Sequence, residues 1–110
     1  MNTYNVALHA NADSPPQFVP VKGQEVAYPE LPDVRLFVHC AILPNGKPGK
    51  RAYLVSEYIT GSRVTNNPEP TPEAAIEAFR QHIATYPAVV HSFPLGIRNY
   101  LARYTPANGA

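Results

Sequence analysis

The chain has no tryptophan, a single cysteine (Cys40) and a single methionine, and only 15 % of its 110 residues are charged. One cysteine closes no intramolecular disulfide and cannot alone build a thiolate zinc site, so the fold must rest on its apolar core. A reducing, cytoplasmic setting is therefore expected. No apolar run approaches the roughly 18 residues that a membrane-spanning helix needs, and Met1-Asn2-Thr3-Tyr4-Asn5 lacks the basic start and apolar stretch of a signal peptide. No membrane partner is expected. Nine Lys/Arg against eight Asp/Glu leave a net charge of +1, which gives no global field toward nucleic acid or acidic lipid. Any electrostatic partner must use a local patch.

Chemical motifs are missing as well. Gly46-x-x-Gly49-Lys50 has neither the preceding strand nor the following helix and hydroxyl residue of a phosphate-binding loop. The histidines at 9, 39, 82 and 91 contain no pair at metal-ligand spacing, so no metal site and no cofactor is expected. His39 cannot serve Cys40 as a base, because neighbours on a strand point to opposite faces. Cys40 itself falls on an apolar face, where a thiol behaves as a small hydrophobe. Glu69, Glu73 and Glu77 cluster at a helix start, where the helix dipole accounts for them. No catalytic residue is assigned, and an enzyme ranks behind both binding functions below.

What is present is 45 % hydrophobic residues, 13 prolines and seven tyrosines, enough apolar side chain for one domain spanning 1–110. The organising unit is a central β-hairpin over about 34–59. Val34–Leu43 and Arg51–Ile59 are apolar runs joined across Pro44-Asn45-Gly46-Lys47-Pro48-Gly49-Lys50, where Asn45-Gly46 suits the left-handed conformations of a turn. Val34, Leu36, Val38 and Cys40 make one apolar face. Phe37, His39 and Ala41 lie on a mixed face that needs its own cover.

Upstream, Tyr4, Val6 and Leu8 alternate with polar or small residues over 3–9, the period of a half-buried strand. Prolines 15, 16, 20, 29 and 32 exclude helix from the stretch 10–33. That stretch is expected to be a meander packed on the domain, with Phe18–Val21 and Glu25–Tyr28 as short edge pieces. Phe18, Val19, Val21 and Val26 would cover the mixed face, with a homodimer as the competing solution.

Downstream, Thr71 can cap a helix that Pro72 and Glu73 suit, and Ala75, Ile76, Phe79, Ile83 and Tyr86 recur at helical spacing before Pro87. A helix over about 72–85 follows. A second, over about 94–104, is expected from Phe93, Ile97, Tyr100, Leu101 and Tyr104 with Pro94 near its start, and a frayed tail over 105–110. The whole reads as an α+β domain, an antiparallel sheet of three to five strands covered on one face by one or two helices. Over 51–85 the strand followed by a Thr-Pro-Glu-Ala helix start resembles, in generic outline, small accessory proteins of bacteria and their phages.

Two functions are expected in order. The first is a non-enzymatic protein-binding or accessory module, with a protein partner or a second copy of the chain meeting a sheet edge, the Pro-rich meander, or the Phe37 and His39 strip. The second is a nucleic-acid accessory protein, in which Lys47, Lys50 and Arg51 at the hairpin tip, with Arg63 nearby, follow phosphates. A few cations on a hairpin tip also serve solubility and edge protection.

Overall fold

The computed structural model describes residues 2–8, 17–43, 47–65 and 67–109. His9, the first part of the Pro-rich stretch, the Asn45-Gly46 turn and Ala110 lie outside the described residues. Four strands, β1 (Asn2–Leu8), β2 (Gln17–Val26), β3 (Leu36–Ile42) and β4 (Pro48–Glu57), form one antiparallel sheet in chain order. They are followed by α1 (Pro72–Thr85) and α2 (Ala88–Leu101). This is the expected α+β architecture, but the β3–β4 hairpin, expected at the centre, forms one side of the sheet, because β1 and β2 both add on beyond β3 and leave β4 at the edge.

The front face of the sheet carries the main core. Leu36, Val38 and Val55 meet Ala75, Phe79 and Ile83 of α1, with Tyr28 and Leu31 folded in from the segment after β2. Here the prolines help rather than disrupt. The turns around Pro29 and Pro32 are closed by bonds from the Leu31 N–H to the Tyr28 carbonyl and from the Val34 N–H to the Leu31 carbonyl. They aim the Tyr28 ring edge-on at Phe79, 5.1 Å between centroids, and its hydroxyl donates to the Ile76 carbonyl at 2.8 Å. Burial pushes the Tyr28 phenol up to about 12.

α1 starts and stops where its capping signals lie: the Thr71 hydroxyl accepts from the Ala74 N–H at 3.1 Å, and Tyr86-Pro87 ends the helix. α2 begins six residues earlier than expected and runs through Pro94. Val89, Val90, Phe93 and Ile97 share a helical stripe that crosses the proline, and Val90 and Phe93 reach the core. Their packing outweighs the interior-proline cost of about 3 kcal/mol.

β2 departs most from expectation, being one continuous strand inside the sheet rather than two edge pieces. Its first part, Gln17–Gly23, pairs only with β1, and its last part, Gly23–Val26, pairs with β3. Pro20 thus sits where the strand has a partner on one side only, which is where a missing donor is tolerated. Gly23 is the crossover residue. A Cβ there would lie 2.8 Å from the Val38 carbonyl oxygen, so only glycine allows three strands to come this close.

The tail 105–110 does not fray over its described part. The Asn108 amide accepts from the Asn5 N–H at 2.6 Å and donates to the Asn5 carbonyl at 3.0 Å and the Tyr58 carbonyl at 2.8 Å. The Ala107 N–H bonds to the Ile59 carbonyl at 2.7 Å. One asparagine side chain thereby satisfies the open edge of β1 as a neighbouring strand would. The Ala7 N–H is taken by the Gly61 carbonyl at 2.9 Å. Gly61 (φ 69°) is needed because a side chain there would crowd Ala7 and Asn5 at 3.1 Å.

Candidate functional site

These contacts curl the sheet. β1 and β4 are not paired with each other, yet β1 is tied to the turn that follows β4, so the back face becomes a hollow. On it Tyr4, Val6, Val21 and Phe37 form a second, smaller core. Phe37, expected to lie on a strip needing cover, is 0 % exposed, with the Tyr4 ring stacked on it at 4.3 Å. The cover comes from within the chain. Its main source is β1, with Val19 and Val21 of β2 contributing and Val26 turned to the front core.

Beside this core lies a cavity of about 370 Å³, walled by Val6 and Leu8 of β1, Ala41 and Ile42 of β3, Leu54 of β4, and neighbouring residues. Among the described residues three polar side chains line it: His39, Ser56 and Arg63. His39 (4 % exposed) and Ser56 (1 % exposed) are held by the sheet. The His39 Nδ1 lies 2.7 Å from the Cys40 carbonyl, which can only accept, so Nδ1 carries the proton. In the neutral ring Nε2 then accepts from the Ser56 hydroxyl, also at 2.7 Å. Desolvation keeps the ring neutral by pushing its pKa below the usual histidine value, against a smaller opposite pull from the bond to Cys40. This polar pair is satisfied within itself. The Ser56 oxygen, its hydrogen committed to His39, offers only lone pairs to the cavity.

Arg63 enters through the chain that doubles back along β4. Ser56 and Arg63 form an antiparallel bridge, and Tyr53 exchanges both backbone bonds with Glu69, at 2.8 and 3.0 Å. The outer edge of β4 is therefore covered. Arg63 is exposed and has no ion-pair partner among the described residues. It was expected near the basic tip. Its place opposite Ser56 puts it five strand residues from Arg51, roughly 16 Å at about 3.3 Å per residue.

The tip residues Lys47, Lys50 and Arg51 are all exposed. Between Cys40↔Tyr53 and Ile42↔Pro48 the pairing slips, and Arg51 (φ 51°) lies in the extra length that β4 carries there. Thus, of the expected site residues, His39 and Arg63 converge on the cavity, Phe37 is core, and the other three form a separate exposed group. Sequence reading did not mark Ser56 at all. Its only signal was a small polar residue directly after the apolar run Ala52–Val55, one position before the strand ends.

Among the described residues, other hollows lack a buried side-chain pair like His39–Ser56 in their walls. One of about 450 Å³ is walled by Thr3, Pro20, Val21, Lys22, Cys40 and Pro48. There the Lys22 ammonium already donates to the Thr3 hydroxyl at 2.9 Å. Among the described residues no group of three or more His, Cys, Asp or Glu could hold a metal ion, and no helix is long and apolar enough to cross a membrane. Set against protein-family models, curated proteins and solved structures, the chain matches none of them.

Proposed function

We propose that this protein is a non-enzymatic binding module and that it binds through the cavity on the back of its sheet. The observation that carries this is an apolar cavity of about 370 Å³ with a fixed His39–Ser56 pair in its wall and beside it a cation, Arg63, that has no ion-pair partner among the described residues. A mostly apolar hollow with a few convergent polar groups is the usual form of a binding site. Sheet-edge pairing with a partner loses its support, because Asn108 and Gly61 occupy open positions on β1 and Ser62, Val64 and Glu69 bond to β4. The nucleic-acid alternative retains Lys47, Lys50 and Arg51 but not Arg63. Three exposed cations are a weak footprint.

Toluene, a neutral apolar probe, tests the reading. In a titration followed by amide NMR, saturable shifts should concentrate at Ala41, Leu54, Ser56 and Gly61, and Ala41→Phe should abolish them while keeping a cooperative melt. Shifts spread evenly over the protein, or unchanged by Ala41→Phe, would overturn it. A duplex oligonucleotide added at low salt should leave the tip amides unmoved.

A further inference from the structure

We infer that the cavity takes a small amphipathic carboxylate, its head group at Arg63 and its apolar body extending from Ser56 toward the hairpin tip. The inference rests on the cavity being the binding site and adds the chemistry of the ligand. The walls are polarised along the strands. Ser56 and Arg63 lie at one end, then His39 opposite Leu54 with its ring turned to Ser56, then Ala41 and Ala52, then Ile42 and Leu43. From Ser56 to Ala52 is four strand residues, roughly 13 Å. A ligand matched to this gradient is polar at one end and aliphatic or aromatic over the rest.

Charge selects the head group. Among the described residues the lining contains no acidic side chain, His39 is neutral, and Arg63 contributes the one formal charge. A cationic head would meet that guanidinium with nothing to offset it. A carboxylate meets it with matching charge and two-pronged geometry. A phosphoryl group would bring about two negative charges to one cation, a poorer match. The Ser56 oxygen, which can only accept, does not compete for the carboxylate and leaves it to Arg63. Size bounds the body: at about 30 Å³ per water-sized group the cavity has room for about twelve non-hydrogen atoms.

Octanoate falls within that size, and methyl heptanoate is its uncharged isomer, so the pair separates head group from body. Titrated at low salt and followed at the cavity amides, octanoate should bind about tenfold more tightly than the ester, as for a charge-assisted contact at a partly open site. Arg63→Gln, an exposed change that leaves the fold intact, should bring octanoate down to the affinity of the ester. Octylamine should bind more weakly than either. Raising the salt to 0.5 M should narrow the gap between octanoate and ester and leave the ester unchanged. Equal binding of octanoate and ester, or a preference that survives Arg63→Gln, would overturn the head-group assignment while the cavity reading stands. If no compound shifts the cavity amides, and Ala41→Phe changes nothing, the cavity itself is not the site and both readings fall.

Discussion

Replacing Asn108 by alanine should destabilise the whole domain, although the residue lies two positions from the chain end. The side chain makes three hydrogen bonds, one accepted from the Asn5 N–H and two donated to the Asn5 and Tyr58 carbonyls. At about 0.5–1.5 kcal/mol net for each, their sum is about 1.5–4.5 kcal/mol. The site is only part-buried, so water recovers some of this, and a loss of about 2 kcal/mol is expected. A small domain loses about 4–8 °C of Tm per kcal/mol, so the melt should fall by about 10 °C. Urea unfolding should show a lower midpoint with an unchanged slope. Asn108→Asp is the sharper variant, since it keeps the acceptor, loses both donors and sets a negative charge against two carbonyl oxygens. It should be at least as damaging as alanine. A loss below about 0.5 kcal/mol for both variants would refute the view that the tail closes the edge of β1. A clipped form lacking residues 105–110 should then also melt like the intact chain. If the reasoning holds, the clipped form should instead associate with increasing concentration, because an uncovered strand edge recruits another.

Other consequences are local. Gly96→Ala should raise stability by about 1 kcal/mol in a thermal melt, because the added methyl meets nothing within 4 Å and α2 loses a flexible residue. Gly23→Ala should cost about 2–3 kcal/mol by urea titration, since its Cβ would sit 2.8 Å from a backbone oxygen that cannot move without breaking the β2–β3 register. For His39 the folded pKa lies below the unfolded value, so protons bind the unfolded chain more readily, and stability should fall as pH drops from about 6.5 through the lower folded pKa. A series of urea curves between pH 7 and 5 should show that decline, and His39→Gln should flatten it. An equal slope in the variant would mean that another group carries the acid sensitivity.

Where the sequence predicted structure well, one local rule acted alone. Thr71, Pro72 and Glu73 start α1, and a period of 3.6 carries it to Tyr86, with no competing signal. The same holds for Tyr4 and Val6 on β1. Where it fell short, two rules met and tertiary contacts decided. In β2 the proline rule argued for short edge pieces, while apolar alternation argued for a strand. The strand forms because Pro20 falls in the half with a single neighbour, and that pairing offset is a property of three strands at once. In α2, Pro94 reads in the sequence as the helix start, and the helix extends back through it to Ala88 because the core gives Val90 and Phe93 a partner. Asn108 and Ser56 carried little local signal, because the role of Asn108 runs through residues 103 and 50 positions away and that of Ser56 through one 17 positions away. The cavity depends on both kinds of contact. Asn108 and Gly61 hold the curl that makes the back face hollow, and Ser56 anchors His39 in its wall. Weakening the tail should therefore loosen ligand binding before it unfolds the domain: Asn108→Ala, though still folded at 25 °C, should bind octanoate more weakly than the parent, while Gly96→Ala should not. Equal affinity in all three proteins would show that the tail does not shape the hollow.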